Sequence, residues 1–247
     1  MSESLLPPRS AEVSDVMDAA MRVFRATLPP CMPLALGAIL CMQLANMYWL
    51  STGKPLDLFG PRDALFWTLT VAGFGGYQLL AALIMLRQGR VALQRSVGER
   101  GELQAAVMSW PRLVLATILS DVVALLGLLA LVAPGLFALV CFLVLRPVVL
   151  FERLDPLPTL QRCVQLIRPR WPKTCAAAVI ALLTLVVCTL AAVVAVGLLS
   201  GALSGLGASV AATTALGSAI MLGLMAIAEV YFNALWLALY SVASSSA

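Results

Sequence analysis

The sequence contains no histidine and few charged residues. Without histidine, the chain lacks the commonest metal ligand and the commonest general base. Charged residues make up 11% of the 247 residues, compared with about 25% in a soluble domain. No two cysteines form a CxxC pair, and the GxSxG, HExxH and phosphate-loop motifs are missing. We therefore predict no metal site, no cofactor and no enzymatic activity, and the composition argues against a water-soluble domain.

Long apolar runs dominate the chain, which is 62% hydrophobic with a mean hydropathy of +0.99. A membrane-spanning helix needs about 20 mostly apolar residues. The runs that meet this requirement are 31–52, 63–86, 112–132, 136–151, 173–199 and 210–243. They do not alternate as the strands of a β-barrel do, so helices are predicted. We expect an all-α polytopic membrane protein with six transmembrane helices, in which residues 1–247 form a single integral membrane domain.

The basic residues predict how these helices are oriented. All of them except Lys54 and Arg62 fall into three clusters, which lie before the first run, between the second and third, and around the fourth and fifth. Cytoplasmic loops of membrane proteins collect Lys and Arg. We therefore expect both termini to be cytoplasmic. Residues 1–30 do not fit a cleaved signal peptide, because prolines and aspartates interrupt them.

Three segments on the predicted inner side are amphipathic. Their apolar stripes are Val13, Val16, Met17, Ala20, Phe24 and Leu28 in 12–28; Leu103, Ala106, Val107 and Trp110 in 102–110; and Leu157, Leu160, Cys163, Val164 and Ile167 in 156–168. Basic amphipathic helices of this kind lie in the membrane surface. A cap over the inner mouth of the bundle is an equally good interpretation, and both can hold.

Prolines follow each amphipathic segment and predict an internal repeat. The junctions are Pro29-Pro30, Trp110-Pro111 and Trp171-Pro172, and two apolar runs follow each one. The predicted unit is an interfacial helix, a proline break and a transmembrane hairpin, repeated in parallel over 10–87, 88–152 and 153–243. The alternative is that Trp and Pro are simply common at membrane interfaces.

Three ionisable residues fall inside predicted spans, namely Asp121, Arg146 and Glu229. A charge in a membrane costs about 2.5–3.5 kcal/mol on insertion scales, so each should face the bundle interior and find a partner. We predict that Arg146 pairs with Asp121 or Glu229, with Asn233 one turn after Glu229 on the same face. These residues could line a path for a substrate or an ion, or form a structural ion pair. A functional path calls for an unwound helix, for which Gly73–Gly76 is the candidate, although close packing is the commoner role of small residues.

Lipids are the predicted partners. The bases flank apolar runs rather than sharing a soluble face, which favours anionic head groups over nucleic acid. The candidate head-group contacts are Arg22, Arg25, Arg162, Arg168, Arg170 and Lys173. A protein partner or a homo-oligomer is left open, and the spacing of Gly197, Gly201 and Gly205 suits either a helix contact or a loop.

Part of the chain resembles a known bacterial family. The stretches that carry the resemblance are Ala133-Pro-Gly-Leu-Phe-Ala, Leu145-Arg-Pro-Val-Val-Leu-Phe-Glu152, Leu157-Pro-Thr-Leu-Gln-Arg162 and Arg168-Pro-Arg-Trp171. They are similar to the YciC-like inner-membrane proteins and to the membrane domain of some glycerophosphodiester phosphodiesterases, although the uncharged end Tyr240–Ala247 departs from that pattern. The resemblance implies a six-helix bacterial inner-membrane protein with a role in envelope or lipid homeostasis. The other hypothesis is a small transporter or lipid-translocating protein that uses Asp121, Arg146 and Glu229.

Overall fold

The computed structural model describes residues 12–52, 62–92, 99–205 and 209–244. These residues form the helices α1 (Val13–Ser51), α2 (Ala64–Ala92), α3 (Glu99–Ala130), α4 (Val132–Phe142), α5 (Leu145–Pro147), α6 (Pro156–Ile167), α7 (Trp171–Gly205) and α8 (Val210–Ser244). A π-helical turn (Val148–Glu152) follows α5, and a 3-10 turn (Arg168–Arg170) joins α6 to α7. No strand occurs in the described ranges, so the all-α prediction is confirmed.

Several helices have the length and apolar character of membrane spans. Among the described residues, five helical segments qualify: α1, α2, α3, α8 and the continuous stretch of α6 and α7. A sixth is added if the bent pair α4–α5 is one crossing. Their exposed surface is rich in leucine, valine and isoleucine. Exposing so much apolar surface to water is unfavourable, whereas contact with lipid is not. This is the architecture of a helical membrane protein.

The proline junctions differ from the prediction. Helix α1 continues through Pro29, Pro30 and Pro33, and α3 continues through Pro111, so the predicted breaks at the first two junctions are wrong. A proline inside a helix leaves carbonyl groups without their usual partners, and neighbouring groups in a membrane protein can supply others. Separately, Arg87 Nη1 donates to the carbonyl oxygen of Pro30 at 2.9 Å, which ties α2 to this part of α1. Only the third junction is as expected, with Pro172 in the first turn of α7.

The first amphipathic segment is the N-terminal part of the long helix α1. Its buried residues Val16, Ala20 and Val23 belong to the main hydrophobic core, and the ring of Phe24 meets the ring of Tyr231 in α8 edge to face at 5.8 Å. The apolar stripe therefore packs against α7 and α8 rather than lying flat in the membrane surface. This segment is not the separate interfacial helix that we predicted.

The second and third segments pack on the bundle with different faces from those expected. In 102–110 the predicted stripe is wrong in part, because Leu103 and Val107 are exposed while Glu102 is buried. Glu102 can be buried because Arg87 and Arg90 both pair with it, at 3.4 and 2.9 Å. In α6 the buried residues are Thr159, Leu160, Cys163, Leu166 and Ile167, whereas Leu157 is exposed. The cap interpretation fits α6 better than the surface interpretation. The threefold repeat itself stays a prediction.

The fourth predicted span is broken. Helix α4 ends at Phe142, and the chain bends by 45° before Leu145. The π-helical turn then follows, and Arg153 closes it with a left-handed backbone (φ 55°). This broken segment runs antiparallel to α3, with Gly135 against Gly127 at one end and the Arg153 carbonyl against Arg112 at the other.

Glycines allow the closest helix contacts, and none of them unwinds a helix. A methyl group at Gly73 would overlap the carbonyl oxygen of Cys41, and Gly75 packs against the ring of Trp110. Helix α2 is continuous through Gly73–Gly76, so the candidate unwinding is not found there and the favoured close-packing role is confirmed. Gly197, Gly201 and Gly205 lie inside or at the end of α7 with open space beside them, which is neither a loop nor a helix contact within this chain.

Candidate functional site

The bent segment α4–α5 places Arg146 in the interior of the bundle. Arg146 lies in α5, immediately after the 45° bend, and is 9% exposed. On the facing helix α8, Glu229, Asn233 and Trp236 share one face because they are spaced by four and three residues. Tyr77 completes the group from α2. We call Tyr77, Arg146, Glu229, Asn233 and Trp236 the buried charge cluster.

Hydrogen bonds close this cluster. The Arg146 Nη1 donates to Glu229 Oε1 at 3.0 Å and to Asn233 Oδ1 at 3.3 Å, while Nη2 donates to the Tyr77 hydroxyl at 2.8 Å. The Tyr77 hydroxyl donates to the other carboxylate oxygen of Glu229 at 3.0 Å. The Asn233 amide donates to Glu229 Oε1 at 2.8 Å. Both oxygens of the buried carboxylate therefore have partners.

Aromatic rings flank the guanidinium of Arg146. Its central carbon lies 4.9 Å from the centre of the Trp236 ring and 5.1 Å from that of Tyr77. One positive and one negative charge cancel within the cluster, and the rings replace water on the faces of the cation. A neutral, hydrogen-bonded cluster of this kind holds α2, α5 and α8 together. Neither carboxylate oxygen of Glu229 is left without a hydrogen-bond partner for a ligand to use.

The structure brings some of the predicted site residues together and leaves Asp121 apart from them. The pairing of Arg146 with Glu229, and the place of Asn233 beside them, are found in the structure. Asp121 does not join them: its side chain is exposed on α3, and no described residue bonds to it. The expectation that Asp121 would face the interior is wrong, because α3 turns Ala116, Ser120 and Ala124 inward instead.

Sequence reasoning missed the polar groups that α2 contributes. Tyr77 was not selected, and neither was Gln88, whose amide donates to the Val230 carbonyl at 2.8 Å next to Glu229. Gln88 and Tyr77 are 11 residues apart, which is three helical turns, so they share a side of α2. That spacing of polar residues within an apolar run is the signal that could have found them.

Polar contacts at the end of the bundle where α6 begins hold this helix in place. Arg162 Nε lies 3.0 Å from Glu152 Oε2, and the Tyr240 hydroxyl donates to the other oxygen of Glu152 at 3.2 Å. Arg112 lies 3.7 Å from Asp155 at the start of α6. Arg162 therefore has a protein partner, which makes it a weaker candidate for head-group binding than we expected.

Four of the predicted lipid contacts are exposed. They are Arg22, Arg25, Arg168 and Lys173, while Arg170 is partly buried. No cluster of three metal-binding side chains occurs in the part of the chain that the structure describes. All six cysteines are free thiols, and Cys188 is exposed.

Comparison with known proteins adds no family to this description. No family model, no curated protein and no solved structure matches the chain.

Proposed function

We propose that this chain is a non-enzymatic protein of the bacterial inner membrane that binds anionic lipids at the cytoplasmic leaflet. We also propose that it belongs with the YciC-like proteins that it resembles, and that it has a role in envelope or lipid homeostasis. Both termini are placed in the cytoplasm.

The observation that carries the proposal is the gathering of basic residues at one end of the bundle. The start of α1, the start of α7 and the end of α8 meet there, since Val16, Thr174 and Val242 line one cavity. Contacts from Arg112 to Arg153 and Asp155 bring the start of α6 to the inner end of the apolar run of α3. Among the described bases, Arg62 alone lies near the opposite end, beside Trp49. An end rich in Lys and Arg beside apolar helices favours the cytoplasmic, anionic face of a membrane.

A sixth crossing follows if the broken segment α4–α5 traverses the whole membrane. It pairs with α3 from Gly127 down to Arg112, which is the full apolar run of that helix. A re-entrant loop would turn back before reaching the inner end. Six crossings leave both termini on the side of the bases.

The test is to measure which phospholipids remain with the purified protein. The variant Arg22→Gln/Arg25→Gln/Arg168→Gln removes three exposed charges, each worth about 1 kcal/mol near an anionic surface. We expect a lower ratio of phosphatidylglycerol to phosphatidylethanolamine among the co-purified lipids and an unchanged melting temperature. Arg62→Gln, at the opposite end, is the matched control and should retain the wild-type ratio. An unchanged ratio in the triple variant would contradict the proposal.

A transporter or lipid-translocating protein is the second candidate. The broken helix beside a buried ion pair favours it, because transporters bind their substrates at discontinuous helices near the membrane midplane. In that case neutralising Glu229 should abolish flux with little loss of folding. The closed hydrogen bonds of the buried charge cluster favour a structural role instead.

A further inference from the structure

We propose that the junction of α1, α7 and α8 is a binding site for a single anionic glycerophospholipid. Its acyl chain would occupy an apolar groove, and its phosphate would lie at the basic end of the same junction. This inference rests on the proposed function and names the place where it is carried out.

The groove is formed where α7 and α8 separate and α1 packs across them. Its volume is about 190 Å³, and its lining is almost entirely apolar. Phe24 of α1, Ala181 of α7 and Phe232 of α8 lie at one end, and Cys188 and Leu224 lie towards the other. The lining is drawn from helices that present the rest of their surface to lipid, so an acyl chain can enter from the side.

A second, smaller cavity continues the groove towards the inner end. It has a volume of about 20 Å³ and lies between the same three helices. Ala177 lines the small cavity and Ala181 lines the groove, one turn further along the same face of α7. Val16 and Met21 of α1 show the same succession. The two spaces are therefore consecutive parts of one junction.

The charges sit at the inner end of this junction. Arg170 and Lys173 line the small cavity together with Glu12, which leaves one net positive charge. Lys173 is exposed at this end of the junction. The small cavity has room for about one water molecule, so the phosphate itself would lie at its mouth.

The distances match the shape of a phospholipid. Lys173 and Ala181 are eight residues apart on α7, which separates the base from the start of the apolar groove by about 12 Å. A phosphate on one side and an acyl chain on the other bridge such a distance through the glycerol. A soluble anion would not occupy the apolar groove, and an uncharged hydrocarbon would not interact with the basic side chains.

The experiment uses the full-length protein in nanodiscs that contain a photoactivatable phosphatidylglycerol with a diazirine in its acyl chain. After irradiation, mass spectrometry locates the adducts. We expect them on α7 between 181 and 188 and on α8 between 224 and 232. A phosphatidylcholine probe with the same acyl chain should label these segments about fivefold less, as expected for one base near an anionic lipid. Equal labelling by the two probes would overturn the proposal.

Two pairs of variants separate the groove from the bases. Cys188→Trp fills the groove and should abolish the adducts, whereas Val187→Trp, an exposed position outside the lining, should leave them unchanged. Arg170→Gln/Lys173→Gln should reduce phosphatidylglycerol labelling to the phosphatidylcholine level, and Arg100→Gln should not. Adducts that survive Cys188→Trp would overturn the proposal. Disulfide cross-linking between the Cys188 residues of two copies would also overturn it, because a second copy of the chain would then cover the groove.

The proposed function and this inference can fail separately. If the co-purified lipid ratio depends on Arg22, Arg25 and Arg168 but groove labelling shows no head-group preference, the proposed function stands and the groove site is wrong. If neither measurement depends on head-group charge, both are wrong.

Discussion

Arg146 Nη1 lies 3.0 Å from Glu229 Oε1, and this pair joins the sharply bent segment α4–α5 to α8. The side chains are 10% and 11% exposed. Arg146 follows the bend after Phe142 and meets the carboxylate that α8 supplies, so the ion pair ties the bent segment to α8.

We expect that removing one partner of this pair destabilises the protein more than removing both. Glu229→Ala leaves a buried cation without its counter-charge, which costs about 3–5 kcal/mol. The double variant Arg146→Met/Glu229→Leu should recover most of this loss. The free energy of unfolding in mixed micelles measures both effects.

The exposed pair of Arg112 with Asp155 provides the control for that measurement. Its side chains are 49% and 75% exposed, so Arg112→Met should cost less than about 1 kcal/mol. A double variant at Arg146 and Glu229 that is no more stable than Glu229→Ala would contradict the structural role.

Glycine substitutions should separate close packing from open helix surface. Gly73→Ala drives a methyl group into the backbone of α1 at Cys41, and we expect a fall in melting temperature or loss of folded protein. Gly201→Ala meets nothing within 4 Å and should stabilise α7 by about 0.5–1 kcal/mol, because alanine favours a helix over glycine. Thermal unfolding of the two variants measures the difference. Instability of Gly201→Ala would reveal a contact with another protein chain.

Asp121→Leu should leave the fold intact. The carboxylate of Asp121 has no partner among the described residues, so we expect the free energy of unfolding to change by less than about 0.5 kcal/mol. The yield in the membrane fraction should rise, since leucine inserts more readily than aspartate. Asp63→Leu is the contrasting variant, because Asp63 accepts hydrogen bonds from the Tyr48 hydroxyl and the Phe66 amide. A strong loss of stability in Asp121→Leu would mean that another molecule pairs with this side chain.

Single cysteines in a cysteine-free background test the orientation. An impermeant maleimide added to spheroplasts should label position 57 and should label positions 5 and 245 only after permeabilisation. The reason is that Lys and Arg keep their segments in the cytoplasm. Labelling of position 5 or 245 in intact spheroplasts would contradict cytoplasmic termini.

The sequence was sufficient to predict much of the helical architecture. An apolar run of about 20 residues in lipid must form a helix to pair its backbone groups. The predicted runs are helical, although α1 and α3 begin well before their runs and the fourth run is broken. The pairing of Arg146 with Glu229 was predictable for a similar reason, since two opposite charges in a membrane cost less together than apart.

The remaining features depend on tertiary contacts that no local pattern encodes. Pro30 was expected to end a helix, but α1 continues through it and packs along α2 and α8. Leu103 was expected on a buried stripe, but it is exposed and Glu102 is buried, because two arginines from α2 pair with Glu102. The break lies at residues 143 and 144 instead of at the candidate Gly73–Gly76, and Arg146 just beyond it bonds to Glu229 of α8. In each case the outcome differs from the one that the local residues favour, and contacts between helices accompany it.

The lipids that stay with the Arg146→Met/Glu229→Leu variant provide the most direct test of the whole account. If the buried charge cluster only fastens helices, and lipid binding belongs to the basic end of the bundle, this variant should co-purify with the wild-type ratio of phosphatidylglycerol to phosphatidylethanolamine. Loss of bound phosphatidylglycerol from a variant that remains folded would contradict the account, because it would place the ligand at the buried charge cluster.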